Sequence, residues 1–219
     1  MGNLASTYSN QGRWKEAEEL KIEVKDSRLR MLGAEHPDTL LAMGNLASTY
    51  SNQGRWKEAE ELELQVKDGR LKVLGAEHPN TLFAMGNLAS TYKHQGRWKE
   101  AEELELQVKD GRLKVLGAEH PDTLSAMGNL ASTYKHQGRW KEAEELEFQV
   151  KDGYLKILGA EHPDTLLAIE NLASTYRDQG RWKGAEELDL QVRDVRLSLL
   201  GEDTLSSMED IAMIKQSEA

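Results

Sequence analysis

Between Pro37 and Leu74 the apolar positions form two helical patterns separated by a polar turn. Thr39, Ala42, Met43, Leu46, Tyr50 and Gln53 share one arc of an α-helix, and Ala59, Leu62, Val66 and Val73 share an arc of a second. Pro37-Asp38-Thr39 offers a proline stop followed by capping side chains, which predicts a first helix, A, over about Thr39 to Gln53. Gly54 ends it. A second helix, B, starts near Arg55 and runs to about Leu74, where Gly75 and Pro79 supply the stop. Ala47 and Ala59 are small where the two helices approach, and the Trp56 ring at the turn is expected to close the end of the hairpin.

The same pattern returns every 42 residues. Asn-Leu-Ala-Ser-Thr-Tyr begins at Asn3, Asn45, Asn87, Asn129 and Asn171, and each copy is followed by Gln-Gly-Arg-Trp. The chain therefore reads as five helical hairpins over about residues 1–32, 38–74, 80–116, 122–158 and 164–200. A hairpin of this size cannot bury enough surface alone, so each must stack on its neighbours and the array becomes its own core. Met1 coincides with Met43 of the unit, so the first helix lacks its usual start and the chain reads as a piece of a longer protein. The closing "GEDTLSSMEDIAMIKQSEA" keeps the helix A spacing but loses the Gly-Arg-Trp turn, which predicts a lone capping helix over about 203–216. The expectation is an all-α solenoid of eleven helices.

Met43, Leu46, Ala47, Tyr50 and Ala59 match the tetratricopeptide repeat pattern. The longer period, with its "NLA", "QG", "EAEEL" and "LGAEHPDTL" blocks, resembles the kinesin-light-chain type of that repeat, which also recurs in fungal NOD-like receptors of the STAND NTPase class. This resemblance implies a right-handed superhelix whose A helices line a concave groove for extended peptides. The aromatic usual in helix B is replaced by Lys21, Glu63, Glu105, Glu147 and Asp189, which alters local packing of helix B but not the fold.

Composition narrows the functional classes. There are no cysteines, so disulfides, thiolate metal sites and cysteine nucleophiles are out of reach. A net charge of −10 disfavours nucleic acid and anionic membrane surfaces. No apolar run approaches the ~20 residues of a membrane span and no leader pattern opens the chain, which fits a cytoplasmic location. Ser48, Thr49, His36, Asp38 and Glu58 each recur once per unit with no distinct partner, whereas catalysis needs unlike groups converging on one point. A non-enzymatic chain with no cofactor is expected. His36, His78, His120 and His162 sit in the loops between repeats, and neighbouring hairpins at about 10 Å stand too far apart for two of them to grip one ion, so no metal site is expected.

What differs between copies lies mainly on the side of helix A turned away from the core. Leu41 becomes Phe83, Ser125 and Leu167; Ser51 becomes Lys93, Lys135 and Arg177; Asn52 becomes His94, His136 and Asp178. Solvated positions drift freely, yet Lys57, Glu58, Glu60 and Glu61 on the outer side of helix B stay almost constant, which favours a recognition surface on helix A. The asparagines Asn3, Asn45, Asn87, Asn129 and Asn171 can both donate to and accept from a peptide backbone, or bond between helices of the array. Gly44, Gly86 and Gly128 cost roughly 1 kcal/mol each against Ala and would open room for a ligand. Lys93, Lys135 and Arg177, with His94 and His136 beside them, form a cationic row that predicts an acidic peptide, held also by Leu41, Phe83 and Leu167.

A rival reading comes from helix B. Leu64 and Leu71, repeated as Ile22/Leu29, Leu106/Leu113, Phe148/Leu155 and Leu190/Leu197, fall opposite its core arc. They are a ridge for weak self-association, or the result of a bend at Gly69, Gly111 and Gly153 that rephases the helix, or a stripe buried by the neighbouring B helices. Self-assembly through that ridge or the array ends is the alternative function.

Overall fold

The computed structural model describes residues 7–8, 11 and 13–217. Among these, every regular element is a helix: α1 (Trp14–Leu32), α2 (Pro37–Asn52), α3 (Trp56–Leu74), α4 (Pro79–His94), α5 (Trp98–Leu116), α6 (Pro121–His136), α7 (Trp140–Leu158), α8 (Pro163–Asp178) and α9 (Trp182–Ser217). Helices α2–α3, α4–α5, α6–α7 and α8–α9 are the hairpins read from the sequence. Helix α1 is the B helix of the first; Asn3 and the start of that hairpin lie outside the described residues. The segment expected as a separate capping helix is continuous in the backbone with α9. The chain falls into two compact units, Met1–Gly117 and Ala118–Ala219.

Each A helix starts two residues earlier than expected, because a histidine caps it. His36 is extended, with φ −67° and ψ 136°, and its Nδ1 accepts the Asp38 backbone N–H at 3.1 Å while Pro37 occupies the first turn without needing an acceptor. His78 does the same for Asn80, His120 for Asp122 and His162 for Asp164. The loop histidines are thus helix caps.

The turn explains why Gln-Gly-Arg-Trp does not vary. Gly54 sits at φ +73°, a left-handed conformation open to glycine, and lets the Arg55 N–H reach the Tyr50 carbonyl at 2.9 Å. The Arg55 guanidinium then lies over the Tyr50 ring, 4.2 Å from its centroid, pairs with Glu58 and donates to Glu18 of α1 at 2.7 Å. Gln53 donates to the same Glu18 at 3.1 Å. Arg97 and Gln95 repeat this on Glu60, and Arg181 and Gln179 on Glu144. The turn of one hairpin is thereby tied to the B helix of the preceding one.

Thr39, Ala42, Met43 and Leu46 are buried as the pattern requires, with Leu46 and Leu88 only 2% and 1% exposed. In the first unit Leu40, Met43, Val66 and Ala84 form one cluster with Leu62 at its edge, so α4 packs into the hairpin before it. In the second, Leu124, Met127, Val150 and Ala168 do likewise. Leu40 was not among the expected core positions. It is buried because Gly69 leaves it room: a Cβ on Gly69 would lie 2.6 Å from a Leu40 methyl. Helices α3, α5 and α7 run unbroken through Gly69, Gly111 and Gly153, and these glycines admit Leu40, Leu82 and Leu124. One further expectation is corrected. Val73, placed in the core, is 48% exposed, and Leu71 and Leu74 beside it at the end of α3 are exposed as well. Trp56 opens α3 and stacks on the next A helix through His94, with ring centroids 4.1 Å apart.

Candidate functional site

In the first unit α2 and α4 stand side by side and their outward residues enclose a cleft of about 440 Å³. Leu41 and Phe83, both about half exposed, give it apolar walls. Asn45 and Asn87 are exposed beside them, with Ser48, Ser51, Asn52 and Ser90 along the same helix faces. Val66 and Glu63 of α3 form the floor, and the stacked Trp56 and His94 rings close one end. Arg70 also lines the cleft, but its Nη1 donates to the Asn80 carbonyl at 2.9 Å. Gly44 lies in the wall, and a Cβ placed on it would meet nothing within 4 Å.

The second unit carries the equivalent cleft, about 670 Å³, between α6 and α8. Asn129, Asn171, Leu167, Lys135, His136 and Asp178 meet there, over a floor that includes Glu147, Val150 and Tyr154. The structure thus brings together, unit by unit, most of the residues singled out from the sequence. Lys93 and Arg177 are exceptions and line neither cleft.

The cationic row has partners that helical periodicity on one helix could not reveal. Lys93 Nζ lies 3.1 Å from Glu105 Oε1. Lys135 Nζ donates to Ser174 Oγ at 2.9 Å and stands 3.9 Å from both Glu147 and Asp178. Arg177 donates to Asp189 at 2.6 Å. Glu105, Glu147 and Asp189 occupy the B-helix position that departs from the tetratricopeptide pattern, so the cation of helix A and the anion of helix B form a pair inside each of these three hairpins. In the α2–α3 hairpin the pair is broken. Ser51 stands where the three hairpins that follow carry a cation, and Glu63 remains, only 7% exposed. Burial pushes the Glu63 carboxyl up to about 7, opposed by Thr91 and reinforced by the charge of Glu60. Glu147 is likewise pushed up to about 7 by burial, against the pull of Thr175 and Lys135. In α1 the position is Lys21, whose Nζ donates to Thr49 Oγ1 at 2.6 Å.

Glu63 and Glu147 are the site residues that the sequence reading missed. The available signal was the two columns taken together: Glu63 is kept, as Glu105 and Glu147 are, while the helix A letter opposite it is Ser51 in place of Lys93 and Lys135. The constancy of the outer face of helix B also has a structural cause. Glu58 is held by Arg55, and Glu60 by Arg97 and Gln95, so these two are not free to drift and lend no support to recognition on helix A. The helix B ridge is half exposed at Leu71, Leu113, Phe148 and Leu155. No described helix is long and apolar enough to cross a membrane.

Known proteins place this architecture. Tetratricopeptide repeat models match residues 1–70 and, as three successive copies, 81–122, 123–164 and 165–205. Two crystal structures of nearly identical TPR-like repeats from Podosopora anserina, of kinesin-light-chain-like type, are similar to the chain at 36% identity. One, a form with a single substitution, covers 91% of this chain and 94% of its own with a TM-score of 0.85, and the other covers 90% and 94% with 0.83. BtubC (BKLC) from P. vanneervenii shares the fold at 20% identity, with a TM-score of 0.81 over 90% of this chain and 79% of its own. No curated protein sequence matches. With family models covering most of its length and repeats of the same kind in crystal structures, the chain belongs to the tetratricopeptide repeat family, in its kinesin-light-chain-like form.

Proposed function

We propose that the chain binds an extended segment of a partner protein along the A-helix clefts. Repeats of this family are non-catalytic protein-interaction scaffolds. The observation that carries the reading is the construction of the two clefts: exposed asparagines at a fixed interval, apolar walls at Leu41, Phe83 and Leu167, and glycines whose missing Cβ leaves open space. Such a surface reads peptide backbone through Asn45, Asn87, Asn129 and Asn171, and side chains through the walls. The acidity expected of that segment rested on Lys93, Lys135 and Arg177. Each is already paired within its hairpin, so backbone and apolar contacts dominate the proposal and an acidic ligand gains only what those pairs release. The repeat type also supports a role as the sensor surface of a STAND-type receptor in the cytoplasm.

A phage-displayed library of short linear peptides panned on the purified chain tests the reading. Binders are expected, and Asn87→Ala should weaken them about fivefold, as for one lost hydrogen bond of about 1 kcal/mol. A library without binders, or binders indifferent to Asn45→Ala and Asn87→Ala, refutes it. A second reading, weak self-association, draws on the exposed apolar ends of the B helices, where Leu71, Val73 and Leu74 are 39%, 48% and 37% exposed. Sedimentation of the chain beside a Leu71→Glu, Leu113→Glu form decides it, since an unchanged association state removes the ridge from consideration.

A further inference from the structure

The geometry points to a subsite in the first cleft, between Ser51 and Glu63, that takes the ammonium of a lysine side chain from the bound segment. It rests on the peptide-binding reading above and adds what that segment must contain.

The repeats supply the comparison from which this follows. In the α4–α5 hairpin the chain fills the equivalent place itself: Lys93 reaches inward from the end of the A helix and sets its Nζ 3.1 Å from Glu105, whose side chain is 6% exposed. The α6–α7 hairpin offers Lys135 to Glu147, and α8–α9 offers Arg177 to Asp189. In α2–α3 the acid is kept and the base is lost. A serine hydroxyl cannot reach as far as a lysine ammonium, so the space that Lys93 fills in one repeat is part of the open cleft in another, and both Ser51 and Glu63 line it.

Glu63 is only partly satisfied. A hydrogen bond with Thr91 favours its ionised form, and its Oε2 is buried without a partner, as are those of Glu105 and Glu147; what sets Glu63 apart is that among the described residues no cation pairs with it, whereas Lys93 and Lys135 stand beside the other two. The neighbouring charges are committed elsewhere. Glu60 is held by Arg97 and Gln95, Arg70 donates to the Asn80 carbonyl, and the His94 ring is stacked on Trp56. A buried carboxylate held over an open cleft, with no cation beside it, is suited to a donor arriving from outside. Lys93 shows which donor the position accepts, a slender ammonium on a flexible stem. Nearby walls at Leu41, Phe83 and Val66 suit the methylene stem of such a side chain.

The test uses the library binders of the whole chain. Sequences selected on the wild type should share a lysine at one position. In a synthetic binder, norleucine at that lysine should weaken binding at least about tenfold, as expected for a charge buried against its partner. Two variants separate the cause. Glu63→Gln removes the anion, and Ser51→Lys supplies an internal ammonium as Lys93 does; both should reduce the lysine-to-norleucine difference to less than about twofold, with helix content by circular dichroism showing that each folds. Should one variant fail to fold, the other decides. Equal binding of the lysine and norleucine peptides to the wild type, or a preference that survives Glu63→Gln or Ser51→Lys, overturns the subsite while leaving the groove reading intact. A library that yields no binders overturns both.

Discussion

Replacing Glu63 by glutamine should make the free protein more stable, by an amount that depends on pH in a defined way. The carboxyl is pushed from its ordinary value of 4.5 up to about 7 because folding removes it from water without giving it a cation. Since its folded value is the higher, the folded state binds the proton more tightly than the unfolded chain. Below about pH 4 both states hold the proton and the group costs nothing. As pH rises the unfolded chain ionises first, the folded state falls behind, and the penalty is complete above about pH 7. The separation of the two values, at about 1.4 kcal/mol per tenfold change in proton affinity, corresponds to about 3 kcal/mol at full ionisation. Glutamine keeps the shape and removes the charge. Urea unfolding followed by circular dichroism should therefore show Glu63→Gln close to wild type at about pH 4, and ahead of it by about 2–3 kcal/mol at about pH 8. A difference that stays constant across this range, or that shrinks as pH rises, refutes the assignment of an uncompensated buried carboxylate. The stability lost at neutral pH is what a lysine ligand would recover, a common arrangement where a site is kept at the expense of the fold.

Other outcomes follow from single contacts. Gly86→Ala should raise stability by about 1 kcal/mol because nothing lies within 4 Å of its Cβ, whereas Gly69→Ala should lower it by about 1 kcal/mol through overlap with Leu40; melting temperatures that move in the same direction contradict this contrast. His78→Ala should cost about 1 kcal/mol by uncapping α4, and His78→Asp should recover most of it in thermal unfolding. A double-mutant cycle on Glu60 and Arg97 should return a coupling of about 0.5–1 kcal/mol, and a value near zero would show that the bond between α3 and the following turn contributes nothing measurable.

Much of the fold was legible because each instruction is local. The apolar spacing of Ala42, Met43 and Leu46 depends only on the helical period, and Gly54 can be read as a stop from its own conformational freedom. The groove side of helix A was legible for the same reason: Leu41, Asn45 and Ser48 lie opposite a buried stripe on one helix, and the structure gathers them with Phe83 and Asn87 in a single cleft. What escaped were contacts between residues whose approach no single helix specifies. Lys93 and Arg177 look like free cations on helix A, yet each faces a carboxylate twelve residues on, across the turn. Leu40 enters the core only because a glycine on the facing helix yields space, and His36 is a cap only because Pro37 directs its backbone.

Sequence by itself determined the repeat unit, its hairpins and the face each helix leaves to solvent, since these follow from periodicity and turn chemistry within about forty residues. Tertiary structure alone decided which polar groups became buried. In an isolated hairpin the Glu63 position would face water; stacking α4 against it leaves the carboxylate 7% exposed on the floor of a cleft. Burial is a property of the neighbour as much as of the residue, so the difference between Ser51 and Lys93, one letter in a nearly constant block, becomes an open acidic pocket in one repeat and a closed ion pair in the next.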